Sequence, residues 1–99
     1  MQFLGIYDKN QLPILNDGSE LLFTEVGNGT EVIIACDSSE DKICSIRNLA
    51  ILFSGKGDYK TYELFTINHS CTNESEAKAY AKNFAAGILK FRHYSNTFA

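Results

Sequence analysis

The C-terminal quarter of the sequence carries the pattern that most restricts how this chain can fold. Asn73 and, three residues later, Glu76 fit a capping box, in which side chains satisfy backbone N–H groups of the first helical turn. Apolar residues then recur at spacings of three and four, as on one face of a helix: they are Ala77, Tyr80, Ala81, Phe84, Ala85, Ile88 and Phe91. The pattern predicts an amphipathic helix over about residues 74–93 and a frayed tail at 94–99. We expect this alanine-rich helix to lie close on a sheet, with Gly87 marking a close approach.

A β-hairpin is predicted upstream of this helix, around the Gly-Asn-Gly sequence at residues 27–29. The flanking segments 20–26 and 30–36 have the composition of strands, and a three-residue loop with glycine in the left-handed conformation joins such strands. We predict that Val26 pairs with Thr30. In that register both faces of the hairpin carry apolar residues, so we expect strands that are covered on both sides, at least in part.

The N-terminal third gives weaker strand signals. Residues 3–7 and 11–15 are short apolar stretches separated by a polar turn at 8–10. Pro13 has no N–H to donate to a β-ladder, so the second stretch belongs at a sheet edge or is barely a strand. Residues 16–18 then form a turn of residues that tolerate positive φ.

A second hairpin is predicted after residue 48. Residues 48–53 form a buried strand, the glycine-rich segment 54–58 a turn, and residues 59–67 a strand rich in Tyr, Thr, Phe and Ile. Between the two hairpins, residues 42–47 are expected to form either a short helix or an exposed loop. The predicted fold class is therefore α+β: an antiparallel sheet of about five or six strands, a meander of hairpins, packed against one long C-terminal helix.

Length and composition indicate one domain over residues 1–99. Ninety-nine residues with 44% apolar and 21% charged content match an ordinary globular domain. No apolar run approaches the ~18 residues that a membrane span needs, and the N-terminus has no basic segment followed by a long apolar one, as a signal peptide would. We therefore expect a cytoplasmic protein with no membrane association.

The three cysteines, Cys36, Cys44 and Cys71, are an odd number with no close pair, which indicates a reducing compartment. Cys36 lies in an apolar run, where a thiol serves as a small buried hydrophobe. Only His69 and His93 are available to complete a zinc site. We predict neither a bound metal nor a cofactor.

Catalytic motifs are weak in this sequence. The two Gly-x-Gly sequences at 27–29 and 55–57 match neither a P-loop nor a dinucleotide-binding fingerprint, and hairpin turns explain both. His69 and Cys71 lie two residues apart before the helix and could form a Cys–His pair, although turn chemistry and a partly buried thiol explain them as well. A pI of about 5.2 and the lack of a recognisable nucleic-acid-binding motif disfavour nucleic acid as a partner.

Charge is distributed unevenly along the chain. Residues 1–72 carry a net charge of −5, and residues 73–99 carry +2. In the predicted register Glu20 lies opposite Cys36. The connection that follows Cys36 is acidic, so several carboxylates meet at one end of the hairpin. We call this predicted group the acidic rim: Asp17, Glu20, Asp37, Glu40 and Asp41. Such a patch attracts a basic partner and raises its association rate, whereas the alternative interpretation is an ordinary polar loop.

The functional prediction is a non-catalytic protein-binding inhibitor, most concretely an immunity or antitoxin-type protein that neutralises a basic, nuclease-like toxin through the acidic rim. One alternative is a small apolar-ligand-binding domain with a cavity lined by Phe23, Phe53, Phe65 and Phe84. A second alternative is an enzyme that depends on Cys71 and His69. The sequence leaves the identity of the partner and the oligomeric state open.

Overall fold

The computed structural model describes the backbone of residues 1–27, 29–38, 44–56 and 59–98, and the side chains within 1–27, 29–37, 45–52 and 60–92. The described residues form a five-stranded antiparallel sheet with one helix packed on it, which confirms the predicted α+β class. The order across the sheet is β1-β5-β4-β3-β2. The elements are β1 (Gln2–Asp8), β2 (Glu20–Val26), β3 (Thr30–Ser38), β4 (Cys44–Lys56), β5 (Tyr59–Cys71) and the helix α1 (Glu74–Phe98).

The central hairpin has the predicted register. Val26 pairs with Thr30 at one end of the β2–β3 ladder and Glu20 pairs with Cys36 at the other. Gly29 has a φ of +77°, the left-handed conformation that the loop requires, while the predicted loop residue Asn28 lies outside the described residues. Because the hairpin's two faces are both apolar, the sheet needs a cover on each side.

Helix α1 covers the first face. Ala77, Ala81 and Ala85 are fully buried against the sheet, as the apolar spacing predicts. The predicted capping box forms with one change. The Asn73 side-chain oxygen accepts the N–H of Glu76 at 2.9 Å, as expected, but the Glu76 carboxylate accepts the N–H of Thr72, one residue before the cap, at 3.0 Å.

Two predictions about the helix are wrong, and its end differs from the predicted one. Phe91 is 70% exposed although it continues the apolar stripe, and Ile88 is the last residue of the stripe that packs on the core. Gly87 marks no close approach, since a Cβ built there would meet nothing within 4 Å. The helix also continues to Phe98, past the end expected near residue 93.

The second face is covered by the segment that joins β1 to β2, residues 9–19, which we call the crossing segment. It contains two 3₁₀ turns, Lys9–Gln11 and Pro13–Leu15, so the strand considered at 11–15 does not form. Pro13 is tolerated at the start of its turn, where no N–H donor is needed. Leu12 is 0% exposed and Ile14 is 2% exposed, packed on the apolar residues of that face. The sheet is therefore enclosed between α1 and the crossing segment.

The strand order differs in one respect from a simple meander. β2 to β5 follow each other as antiparallel neighbours, but β1 pairs with β5, at the edge opposite β2. The crossing segment must therefore traverse the sheet, a distance of roughly 19 Å across four strand spacings. β4 begins at Cys44, so the helix considered for 42–47 is wrong for residues 44–47, and residues 42 and 43 lie outside the described residues.

Candidate functional site

The chain concentrates carboxylates at one end of the sheet. The start of β2 lies at this end beside the end of β3, because Glu20 pairs with Cys36. The start of β4 lies at the same end, because Ser38 pairs with Cys44. β5 also ends there, since Cys44 pairs with Cys71, and α1 starts three residues later. Connectivity alone therefore brings together the acids that flank these strand ends and those in the first helical turn. We call the described members the acidic end: Asp17, Glu20, Asp37, Glu74 and Glu76.

The acidic rim predicted from the sequence is only partly described. Asp17, Glu20 and Asp37 occupy this end of the sheet, with Glu20 opposite Cys36 as expected. Glu40 and Asp41 lie outside the described residues. That the acidic rim is a binding site stays a prediction. The structure gives the positions of three of its members, Asp17, Glu20 and Asp37.

Arg47 joins two of these carboxylates. Its guanidinium donates to the Asp37 carboxylate at 3.1 Å and to the Asp17 carboxylate at 3.5 Å. The Arg47 side chain is 46% exposed and that of Asp37 is 50% exposed, so solvent screens both ion pairs and each contributes little to stability. Arg47 fixes the two carboxylates relative to each other and cancels one of their charges. Glu20 is exposed to solvent and forms no ion pair with the side chains that the structure describes.

The loop that carries Asp17 is held by local hydrogen bonds. The N–H of Ser19 donates to the Asp17 carboxylate at 2.9 Å, and Gly18 adopts a φ of +84° that this turn requires. This hydrogen bond from the Ser19 backbone, followed by the Arg47 charge, lowers the pKa of Asp17 below its ordinary value. Asp17 therefore stays negatively charged well below neutral pH.

The helix start adds two acids that the sequence analysis did not include in the rim. Glu74 and Glu76 lie in the first turn of α1 and are exposed. Hydrogen bonds from the hydroxyl and N–H of Thr72 lower the pKa of Glu76. The connectivity could have revealed this placement, because a helix that directly follows the last strand must begin at that strand's end.

Two shallow depressions lie on either side of Arg47. The larger has a volume of about 220 Å³ and the smaller about 130 Å³, and both are open to solvent. Their walls are mostly polar, and Asp37 and Arg47 line both. The remaining lining residues are Ser45, Ile46, Asn68, His69 and Ser70 for the larger, and Asp17, Gly18, Ser19 and Cys36 for the smaller. Open polar depressions beside carboxylates suit protruding basic side chains of a protein more than an enclosed small molecule.

The Cys–His alternative gains no support from the geometry. Cys71 is 1% exposed within the core under α1, where a thiol cannot meet a substrate. His69 is stacked on Tyr80, with ring centroids 3.8 Å apart and an interplanar angle of 9°. Within the described ranges, no group of three or more His, Cys, Asp or Glu side chains is placed to hold a metal ion.

The apolar-cavity alternative expected four phenylalanines around one cavity, but the structure places Phe23 on the opposite face of the sheet from Phe65 and Phe84. Phe65 and Phe84 pack edge to face on the helix side, with ring centroids 5.5 Å apart. Phe23 pairs with Ile33, which belongs to the opposite face, and is 53% exposed. The side chain of Phe53 lies outside the described residues. Phe23, Phe65 and Phe84 therefore do not line one cavity. Phe65 and Phe84 instead fill part of the core by packing on each other.

Comparison with known proteins gives no relationship from which a function could be transferred. No protein-family model matches the chain, and searches of curated proteins and of solved structures find no significant match. No helix among the described residues is both long and apolar enough to cross a membrane.

Proposed function

We propose that this chain is a non-catalytic inhibitor that binds a basic protein through its acidic end, most concretely an immunity or antitoxin-type protein that neutralises a nuclease-like toxin. The observation that carries the proposal is the gathering of Asp17, Glu20, Asp37, Glu74 and Glu76 at one end of the sheet. Arg47 is the cation that the described contacts place among them, and it is already held by two carboxylates.

The charge of this end favours a partner that itself binds phosphates. A protein that cleaves nucleic acid presents lysine and arginine side chains to the phosphate backbone. Carboxylates fixed on a rigid scaffold can pair with those same side chains and so exclude the nucleic acid. The partner's charge also speeds the encounter, because complementary fields raise association rates.

The scaffold meets the mechanical need of such an inhibitor. The acidic residues lie at strand ends, in the hydrogen-bonded turn before β2 and in the capped first turn of α1. Little side-chain or loop ordering is then left to oppose binding, which leaves more of the interaction energy for affinity. The two depressions beside Arg47 offer room for basic side chains that protrude from a partner.

The test compares two charge reversals on the same strand. Glu20→Lys alters the acidic end, whereas Glu25→Lys makes the identical change near the other end of β2, and both residues are exposed. The two positions are roughly 17 Å apart along the strand, about twice the Debye length of about 8 Å at physiological salt. Net charge is therefore matched while the position of the charge differs.

Wild-type protein and the two variants would be immobilised and exposed to an extract of the source cells, and retained nucleases would then be purified. We expect a basic nuclease that wild type and Glu25→Lys retain and inhibit. Glu20→Lys should slow its association by about tenfold and flatten its salt dependence. Equal binding by the two variants would exclude the acidic end as the docking site. Retention of a nuclease that stays fully active would exclude the inhibitory role.

A further inference from the structure

The sheet has two edge strands, β1 and β2, and they differ in how they discourage pairing with another chain. An exposed strand edge presents unpaired N–H and C=O groups, and proteins commonly protect such edges with charged side chains. β2 carries Glu20 and Glu25, both exposed. Residues 1–7 contain no charged side chain, and the first acid of β1 is Asp8 at its end.

The β1 edge also exposes large apolar side chains. Met1 is 79% exposed, Phe3 50%, Leu4 41% and Ile6 64%. Phe3 and Ile6 lie on the same face of the sheet as α1, because Phe3 contacts Phe65 of the helix-side core and Ile6 pairs with Glu63, which binds Arg92 of the helix. An apolar strip therefore runs along an edge to which no other described strand pairs.

We propose that a second copy of this chain covers this edge, with β1 pairing antiparallel to β1 of the copy about a twofold axis. This makes one continuous ten-stranded sheet. The β-bulge between Phe3 and Gly5 fixes which side chains share a face. We choose the register in which Phe3 of one copy pairs with Ile6 of the other, since both side chains lie on the helix side of the sheet. In the same register Gln2 pairs with Tyr7, and both of these side chains lie on the opposite side. Each backbone edge then supplies the partners that the other lacks.

Two properties of the β1 edge favour a second copy of the chain as its partner: the lack of like charges that would meet, and the apolar area that pairing would bury. In that register Asp8 faces Met1 of the copy, so no two like charges meet, whereas self-pairing of the β2 edge would bring glutamates together. The exposed fractions of the four apolar side chains correspond to roughly 450 Å² on each copy. Two copies would thus bury on the order of 1,000 Å² with the strand edges included, which reaches the lower limit for a specific interface.

The arrangement leaves the acidic end free on both copies. β1 pairs with residues 61–66 of β5, whereas the acidic end lies beyond residue 68 of that strand. A twofold axis perpendicular to the strands points the two acidic ends in opposite directions. This inference does not depend on the proposed inhibitory function, and either can fail without the other.

The experiment is sedimentation velocity on the full chain, from about 5 µM to about 500 µM, a range suited to the weak association that is typical of interfaces at the lower limit of size. We expect wild type to shift from monomer to dimer over this range. Ile6→Lys should weaken the association at least tenfold, since it places a charge in the apolar strip. Phe23→Lys is the matched control, because it changes an equally apolar residue, 53% exposed, on the other edge strand.

Phe23→Lys should dimerise like wild type, and circular dichroism would establish that both variants are folded. As a second measurement, hydrogen exchange of the β1 amides should slow at high protein concentration in wild type and not in Ile6→Lys. A wild-type chain that stays monomeric up to the highest concentration would overturn the proposal. So would an equal loss of dimer in both variants, or a dimer that Ile6→Lys leaves intact.

Discussion

Truncation of Leu12 tests whether the crossing segment is part of the core. Leu12 is 0% exposed and packs on the sheet face opposite α1, together with Ile14. Leu12→Ala removes a fully buried side chain and leaves a cavity, so we expect a loss of about 3 kcal/mol in the free energy of unfolding. That loss is a large part of the total of roughly 5–15 kcal/mol for a domain, and it would lower Tm by roughly 12–24 °C at this chain length.

Urea denaturation followed by circular dichroism measures this loss, at a protein concentration of about 5 µM that keeps the chain monomeric. Leu4→Ala is the matched control, because it makes the same chemical change at a side chain that is 41% exposed, and it should cost well under half as much. Ile14→Val gives an intermediate point of about 1 kcal/mol. A loss below about 1 kcal/mol for Leu12→Ala would mean that the crossing segment does not seal this face.

Three further predictions concern charges and the helix cap. Arg47→Gln should change stability by less than about 1 kcal/mol, because both of its ion pairs are exposed. It also frees the charges of Asp17 and Asp37, so a basic partner should associate several-fold faster in stopped-flow measurements. Slower association would contradict the proposed role of these carboxylates. Burial, together with the Glu31 charge, raises the pKa of Tyr62 to about 12. Because the same phenol ionises near 10 in the unfolded chain, the free energy of unfolding should fall as pH rises from about 10 to about 12. Tyr62→Phe should remove this pH dependence in urea titrations. Asn73→Ala should cost about 1 kcal/mol through loss of the cap, and a thermal melt identical to that of wild type would exclude the cap's role.

The lowered pKa values of Asp17 and Glu76 predict how the protein responds to acid. Both carboxylates stabilise the folded state fully above their ordinary values of 3.8 and 4.5, and this contribution is lost as pH falls through the lowered folded values. Asp17→Asn with Glu76→Gln should therefore show a flatter dependence of unfolding free energy on pH between about 2 and 5. An unchanged dependence would assign acid sensitivity to other groups.

Prediction from the sequence succeeded where the signal is local. The helix start depends on residues three apart, and the central hairpin on a loop of three residues between matched strands. It failed at residues 11–15, a short apolar stretch that was considered as a strand but forms 3₁₀ turns, with Leu12 and Ile14 buried. The reason lies in the tertiary structure. The sheet has two apolar faces and, among the described residues, one α-helix to cover them, so the second face needs another cover, and this segment is the connection that reaches it.

The candidate site divides in the same way. The sequence predicted that Asp17, Glu20 and Asp37 gather at one end of the central hairpin, because its register was predictable. It did not indicate that Arg47 bridges Asp17 and Asp37, which are 30 and 10 residues away from it. Glu74 was not included among them either, although the direct connection from the last strand to the helix could have placed it at the same end of the sheet. Side-chain contacts across several strands have no local signature in a single sequence.

An antiparallel sheet closed by a capped C-terminal helix follows from local features of the amino-acid sequence. Periodicity, capping and turn chemistry act over a few residues, so they can be recognised before any tertiary contact is known. The position of β1 at the edge far from β2, and the cover that the crossing segment gives the second face, are known only from the three-dimensional fold. The fold alone also shows that Phe3 and Ile6 are left exposed on an uncharged edge. The physical reason is that strand order and surface exposure follow from how all apolar faces are buried together, and this balance is a property of the whole chain.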